Sequence, residues 1–209
     1  MSRLSFKSKM RYLDCNHSFV GKRGFVPMSS FFIIRMQKLK ASDIQEVQFH
    51  NQQGMESINY DLVNKRKIDY IKAVESRIEQ AVLTKKKIRR DAVRLCEFLI
   101  TSESKFFENL SVKNKKRFFI KALEFLQEKY GAENIIYASV HNEEKLSHMH
   151  VGLVPITADY RLNANHIFSR LNLAMLQDDI LNYMIEEGFD LKRSVLNNQE
   201  DIEKYLYSM

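Results

Sequence analysis

With 209 residues, the chain has room for one sizeable hydrophobic core, and a second full domain is not expected. Its net charge of +7 and its isoelectric point of about 9.3 favour a polyanionic partner. No apolar run approaches the length of a membrane span, and the first residues lack the apolar core of a secretion signal, so stable membrane insertion and secretion are not expected.

The cysteines and the basic residues narrow the setting further. Cys15 and Cys96 have no spacing typical of a disulfide or a metal site, so a reducing, cytoplasmic location is expected. Lysine and arginine gather in three runs: Lys65–Lys67, Lys85–Arg90 and Lys113–Arg117. A single run is typical of a solvated helix end, whereas three runs favour a phosphate backbone as the partner.

Residues 1–27 lack sustained periodicity and are expected to form a disordered N-terminal extension. Hydrophobic periodicity and turn residues then predict the following elements in chain order: a strand at Phe31–Met36, a short helix capped by Ser42 and Asp43 and running toward His50, a strand at Ile58–Val63, an amphipathic helix at Ile68–Val82, a strand at Ala92–Thr101, a helix at Lys113–Tyr130 ended by Gly131, strands at Ile135–Val140 and Val151–Pro155, and a helix at Asn165–Glu187 ended by Gly188.

This order of elements predicts an α+β fold. A single central, mostly antiparallel sheet with helices on one face accommodates it better than a doubly wound parallel sheet. The other face of the sheet is then available for a substrate.

The predicted hairpin concentrates side chains that bind metals. His148 and His150 point to the same face of a strand, roughly 7 Å apart at about 3.3 Å per residue. His141 lies at the facing end of the partner strand, and Glu143 and Glu144 occupy the turn. A lone His-x-His pair is common on protein surfaces, but the third histidine and the two acids favour a three-nitrogen metal site with open positions.

A cation at this site could act as a Lewis acid on a phosphate oxygen, and the basic surface makes a phosphodiester the natural substrate. The nucleophile would be water bound to the metal or a side chain. His50 and Tyr60 are the two side-chain candidates, although each residue type in these surroundings is more often structural.

Several motifs in sequence resemble the MobV relaxases, also called the Mob/Pre plasmid mobilisation and recombination family, which belong to the HUH endonucleases. The matching stretches are His141-x-Glu143-Glu144, Ser147–His150, Val154-Pro155, Arg35–Lys38, His50-Asn51, Asn59–Leu62, Arg90–Val93, Ile100–Ser102, Phe106-Phe107 and Tyr137–Val140. The resemblance extends from Met28 to about Leu196 and implies a catalytic domain over residues 28–196, with residues 197–209 as the start of a truncated helical region.

The resemblance implies strand-specific nicking of origin-of-transfer DNA by transesterification. His50 would be the nucleophile and would become linked to the DNA 5′ end, which allows later religation. His141, His148 and His150 would bind Mn²⁺ or Mg²⁺, and Glu144 would orient His50. The alternative role for Glu143 or Glu144 is to support one of the metal-binding histidines. The matched stretches also suggest residues that contact the single-stranded or supercoiled origin DNA: Asn51, Asn59, Tyr60, Arg35, Lys38, Arg89 and Arg90.

Two departures from the family pattern leave an alternative open. Gln53 stands where the family usually has arginine, and a neutral amide cannot neutralise a DNA phosphate. Family members also continue into a long helical region associated with dimerisation. A truncated relaxase that binds origin DNA without productive cleavage is therefore the main alternative, and a metal-dependent hydrolase that uses activated water is a third hypothesis.

Overall fold

The structure is a computed structural model that describes residues 29–53, 58–83, 87–142 and 146–193. Its strands are β1 (Ser30–Lys40), β2 (Tyr60–Asp61), β3 (Val93–Ser102), β4 (Ile135–His141), β5 (His148–Leu153) and β6 (Leu191–Arg193). Its α-helices are α1 (Ile44–Asn51), α2 (Tyr70–Ala81), α3 (Ser104–Glu108), α4 (Val112–Tyr130), α5 (Ala164–Ile167) and α6 (Arg170–Glu186), and a single 3₁₀ turn, Ala132–Asn134, precedes β4.

These strands form one sheet in the order β2-β4-β5-β3-β1-β6. Every neighbouring pair is antiparallel except β1 and β6, which run parallel over three residues. The predicted α+β fold with one mostly antiparallel sheet is therefore confirmed. The two longest strands, β1 and β3, pair along most of their length, and each contains a buried apolar stretch.

Helices cover both faces of the sheet, so the expectation of helices on one face only was wrong. Helices α4 and α6 pack against one face, which we call the helix face, around a core that includes Phe118 and Ile180. Helices α1 and α2 pack against part of the opposite face through a smaller core that includes Ile44 and Val74. The remaining part of that opposite face is where the histidines lie, and we call it the histidine face.

The aromatic side chains of the helix face form a continuous cluster. The Phe118 ring lies at the middle of α4 and makes edge-to-face contacts with several neighbours, with ring centroids 5.2 to 6.0 Å apart. These neighbours are Phe32, Phe106, Phe107, Phe119 and Phe189, which come from β1, α3, α4 and the segment before β6. Such pairs add to the stabilisation from burial alone.

The long helix expected at Asn165–Glu187 is two helices. Phe168 has a non-helical backbone at φ −112° and ψ 57°, and the Ser169 hydroxyl then accepts from the backbone N–H of Asn172 as an N-cap. Phe168 still faces the core, so the helical spacing of hydrophobic residues continues through the break. The periodicity of the sequence therefore gives no sign that the helix is interrupted. Helix α3 and strand β6 were not predicted, since five and three residues are too short for a periodic signal.

Among the described residues, no helix is both long and apolar enough to cross a membrane. The expected N-terminal extension, residues 1–27, and the expected start of a helical region at 197–209 lie outside the described part of the chain.

Replacing Phe118 with alanine is expected to lower the free energy of unfolding by about 3–5 kcal/mol, because it removes a fully buried ring and leaves a cavity among five other rings. Chemical denaturation followed by circular dichroism measures the change. Val112→Ala on the same helix is the matched control: Val112 is 85% exposed, and its loss should cost no more than about 0.5 kcal/mol. Equal losses in the two variants would contradict the assignment of Phe118 to the main core.

Candidate metal and nucleophile site

The pairing of β4, β5 and β3 arranges their side chains in rows across the histidine face. His141 lies opposite His148, which in turn lies opposite Thr101. In the next row, Ser139, His150 and Leu99 lie side by side, and Arg35 of β1 continues that row. Directly paired residues share a face, so the three histidines of the hairpin project together from the sheet.

Helix α1 supplies the fourth histidine. Ile44 at its start is buried against the sheet, and His50 and Asn51 form its last two residues. The His50 ring is stacked on His141 at 5.0 Å between centroids and meets His150 edge-to-face at 5.2 Å. His50 therefore lies on the same face as the hairpin histidines, as the proposed chemistry requires.

The four imidazoles form a compact cluster. His141 stacks on His148 as well as on His50, and His148 and His150 meet edge-to-face, each with centroids 5.0 Å apart. Ring nitrogens of His50, His148 and His150 all lie within 4.8 Å of one another, a spacing that suits one metal ion. The trio differs from the predicted ligand set, in which His141 took the place of His50.

The four rings differ in exposure. His50 is exposed, His150 is half-buried, and His141 and His148 are 3% and 7% exposed. The exposed ring belongs to a helix end, and the more buried rings belong to hydrogen-bonded strands. His50 is therefore the member of the cluster most accessible to a macromolecular substrate.

The charge state of the cluster suits a cation. Burial, reinforced by the charges of the neighbouring His148, His150 and His50, lowers the pKa of His141 to about 3. Its imidazole is therefore neutral at physiological pH, which is the form that binds metals. The Nδ1 atom of His148 lies 2.9 Å from the carbonyl oxygen of Leu146, and if Nδ1 carries the proton, Nε2 is left as the metal ligand.

Glu97 of β3 is a buried acid beside the cluster. Its Oε1 atom lies 3.5 Å from Nδ1 of His150, and it accepts hydrogen bonds from the amide of Asn51 at 2.9 Å and from the hydroxyl of Tyr137 at 2.7 Å. Its Oε2 atom accepts from the amide of Gln37 at 2.7 Å. A carboxylate behind a ligating histidine fixes the ring and raises its basicity.

The ionisation of Glu97 depends on these partners. Burial alone would raise the pKa of its carboxyl group, but the interaction with the neighbouring His150 and the hydrogen bonds from Asn51 and Tyr137 lower it to about 2. The carboxylate is thus charged throughout the physiological range. It places a negative charge next to a cluster that would receive a divalent cation.

Gly152 of β5 allows Tyr137 to reach Glu97. In the register of the sheet, Gly152 lies between Glu97 on β3 and Tyr137 on β4. A Cβ atom at Gly152 would lie 2.2 Å from the tyrosine ring, so the ring crosses the strand at the one position where no side chain blocks it. On its other side the ring stacks on Tyr70 at 4.1 Å.

Asn51 and Asn59, which the sequence suggested as DNA contacts, are both buried and make hydrogen bonds within the protein. Asn51 is fully buried and donates to Glu97, so the structure favours a role in fixing α1 and the acid. Asn59 is 6% exposed, and its side-chain oxygen accepts from the backbone N–H of Asn142, which follows His141. It therefore ties the segment before β2 to the mouth of the histidine hairpin.

Tyr60 lies on the opposite side of the sheet from the histidines. It pairs with Val140, whose side chain faces the helix-face core, and Lys116 of α4 lies 5.5 Å above its ring. Tyr60 as an alternative nucleophile is therefore wrong: the strand alternation that directs His141 to one face directs its neighbour Val140, and with it Tyr60, to the other.

The predicted basic contacts are distributed unevenly. Arg35 lies on the histidine face in the row of His150, and burial lowers the pKa of its guanidinium. Lys38 donates to Asn165 and to the carbonyl of Phe168, so it holds α5. Arg89 is paired with Asp91. Arg89 and Arg90 both come before Val93, where β3 begins, and this first residue of the strand is about 26 Å from Thr101 at 3.3 Å per residue. These two arginines are therefore remote from the histidines.

Glu144, predicted to orient His50, lies outside the described residues, as does Glu143. Glu97 is the acid that sequence reasoning missed. The available signal was one ionisable residue inside the apolar run Leu95–Ile100, since a charge at such a position requires partners.

Comparison with known proteins places the chain in a family. A family model described as plasmid recombination enzyme (Mob/Pre) matches residues 28–206. A plasmid recombination enzyme of a Bacillus species is 42% identical, aligned over 78% of this chain and 42% of its own length. One from Lactiplantibacillus plantarum is 36% identical, over 81% of this chain and 50% of its own length. The chain thus spans about half or less of the length of these curated relatives.

The chain is also similar in fold and sequence to solved structures of a relaxase domain. A manganese-bound MobM relaxase domain with a 22-nucleotide strand of plasmid pMV158 oriT DNA is 33% identical, with a TM-score of 0.78 over 86% of this chain and 100% of that one. The same domain with 26-nucleotide oriT DNA is 36% identical, with a TM-score of 0.74 over 81% of this chain and 94% of that one. From the family match and the similarity in sequence and fold, the chain belongs to the Mob/Pre family of plasmid recombination enzymes.

Proposed function

We propose that this protein is a plasmid mobilisation relaxase that nicks one strand of origin-of-transfer DNA by transesterification. The observation that supports this most directly is the contact of an exposed histidine on α1, His50, with three more buried histidines of the β4–β5 hairpin. This arrangement offers both a nucleophile that a DNA strand can approach and a site for a cation beside it. The related MobM domain is bound to oriT DNA and manganese.

The donor set fits a divalent transition metal. His141, His148 and His150 would hold the ion, with Glu97 behind His150. Imidazole nitrogens suit manganese better than magnesium, which prefers oxygen ligands and retains its waters, so Mn²⁺ is the proposed cation and Mg²⁺ the weaker substitute. When bound, the ion would supply Lewis-acid polarisation of the scissile phosphate.

His50 is the proposed nucleophile. A ring nitrogen of His50 forms a bond to the scissile phosphorus while the bond from phosphorus to the 3′ oxygen breaks. The imidazole loses its proton, and the 3′ oxygen leaves as a hydroxyl. The DNA 5′ end then remains on His50 as a phosphoramidate, and attack by a 3′ hydroxyl reverses the step. The energy of the broken bond is thus retained for religation.

The other residues of the sequence motifs have supporting roles in this proposal. Asn51 holds Glu97, and Asn59 holds the end of the hairpin, so both would position the site. Glu144 would orient His50. Residues 28–196 would form the nicking module, which would act in the cytoplasm, and dimerisation would depend on a helical region that follows it.

Wild-type protein with Mn²⁺ is expected to convert supercoiled plasmid carrying the origin of its own replicon to open circles, with protein bound to the DNA 5′ end. His50→Ala should abolish the covalent adduct, detected on denaturing gels, because no nitrogen remains to attack phosphorus. Origin binding without nicking or adduct under any divalent cation would contradict the proposal and favour a non-cleaving relaxase. Free 5′ phosphate ends would favour a hydrolase.

The two possible roles of His50 can be separated by metal affinity. If His50 is the nucleophile, His50→Ala should bind Mn²⁺ within a few-fold of the wild type in calorimetry, whereas His141→Ala should lose most of its affinity. The opposite pattern would make His50 a ligand, in agreement with the trio of nitrogens within 4.8 Å, and would remove it from the nucleophile role.

Glu97→Gln is expected to weaken Mn²⁺ binding by about 10–100-fold, because the substitution removes the charge behind His150 and leaves fewer acceptors for the three donors from Gln37, Asn51 and Tyr137. Isothermal titration calorimetry measures the change, and thermal melting establishes that the variant is folded. Glu128→Gln, at an exposed position on α4, removes the same charge and should leave affinity unchanged. Similar affinities in both variants would argue against the role assigned to Glu97.

A further inference from the structure

A cavity of about 450 Å³ lies beside β1, away from the histidine cluster. Within the described part of the chain, β6 pairs only with Ser30–Phe32, and the cavity begins where this pairing stops, along Ile33–Arg35. One side of α6 forms the opposite wall with residues spaced by three and four, including Leu173 and Gln177. The cavity is therefore a groove between a strand edge and a helix.

Three arginines from three different elements line this groove: Arg35 of β1, Arg170 of α6 and Arg193 of β6. Arg170 and Arg193 are exposed, and Arg35 is half-buried. Three guanidinium groups around one cavity concentrate positive charge there, which favours the binding of an anion. Guanidinium is also the side-chain group that best matches the geometry of phosphate.

Arg170 occupies a position that helix stability does not explain. It is the first residue of α6, directly after the Ser169 cap, and the first turn of this helix contains no acidic residue. A positive charge at this end opposes the helix dipole, which favours anions there. Violations of a local rule of this kind are expected where a residue serves a ligand.

Arg193 is partly engaged by Asp178 of α6, with 2.8 Å between Nη1 and the carboxylate. Both side chains are about half exposed, so this ion pair is weak and is not a barrier to a stronger anion. A guanidinium group has five N–H donors, and those not directed to Asp178 can still bind a second acceptor.

The groove is connected to the histidine cluster by the register of the sheet. Arg35 lies opposite Leu99, which lies opposite His150, so the backbones of Arg35 and His150 are two strand spacings apart, roughly 10 Å. Leu99 between them is only partly buried, and this part of the histidine face is therefore accessible. A polymer bound at His150 could cross Leu99 and reach Arg35, which lines the groove.

We infer that the groove lined by Arg35, Arg170 and Arg193 binds backbone phosphates of the single-stranded DNA that flanks the scissile phosphodiester. The inference rests on the proposed relaxase function and assigns it a second contact region, remote from the reacting atoms. Because the contacts are to phosphates, they would position the strand without reading its sequence. Affinity would accordingly depend on salt through the release of counterions from the DNA.

The test is the salt dependence of DNA binding by the full chain. Fluorescence anisotropy with Mn²⁺ would follow a labelled 25-nucleotide oligothymidine, and the 22-nucleotide pMV158 oriT strand as a second probe, at a series of salt concentrations. For the double variant Arg170→Ala with Arg193→Ala, the slope of log affinity against log salt should become shallower by about 1.4, since each phosphate contact on single strands contributes about 0.7. The double variant Arg170→Lys with Arg193→Lys keeps both positive charges, and its slope should return most of the way to that of the wild type.

The matched control is the double variant Lys129→Ala with Arg161→Ala, which removes two positive charges outside the groove. Like Arg193, each of these residues is paired with an aspartate: Lys129 with Asp179 and Arg161 with Asp159. This control should retain the wild-type slope. Equal slopes for the groove and control variants, with both folded by circular dichroism, would overturn the inference and leave the groove to another occupant. Nicking by the wild type is measured separately: binding without nicking contradicts the proposed function, and nicking with equal slopes contradicts only the groove.

Discussion

The buried carboxylate of Glu97 is the interaction on which the candidate site depends. Removing a carboxylate from water is costly unless hydrogen bonds and opposite charge compensate for it. Here the compensating groups come from four elements: Gln37 of β1, Asn51 of α1, Tyr137 of β4 and His150 of β5. Since each element must be in place for the acid to be satisfied, Glu97 links the position of α1, and therefore of His50, to the position of the hairpin. The proposed nucleophile and the proposed metal ligands are thus held by one shared acceptor.

The two faces of the sheet separate stability from chemistry. Phenylalanine rings and the long helices α4 and α6 fill the helix face, where packing needs no polar partners. The opposite face has a smaller apolar core under α1 and α2, which leaves room for histidines, a buried acid and an accessible strip over Leu99. A site with several desolvated polar groups is destabilising by itself. The extensive aromatic core on the other side of the same strands compensates for it.

Sequence reasoning identified the groups that local patterns reveal. The His148-x-His150 pair follows from strand alternation, and the family motifs led to His50 on the correct face. Facts that depend on the register between distant strands were not accessible. Nothing local shows that Tyr60 pairs with Val140 and so faces away from the histidines, or that Glu97 lies behind His150. The break at Phe168 was also hidden, because a residue that leaves the helix while still facing the core preserves the periodicity.

Gly152 binds nothing and reacts with nothing, yet the arrangement of the site depends on it. The Tyr137 ring that crosses Gly152 would have to move if even one methyl group were added there. Glu97 would then lose the hydrogen bond that it accepts from the Tyr137 hydroxyl. The hydrogen bonds of β5 and all four imidazoles could remain after such a substitution. A comparison of the metal-binding residues alone would therefore not reveal its effect. The tolerance of the candidate site to mutation is therefore set partly by the absence of a side chain at Gly152, whose space the Tyr137 ring occupies. Homologues with a side chain at that position would need a different way of holding the acid.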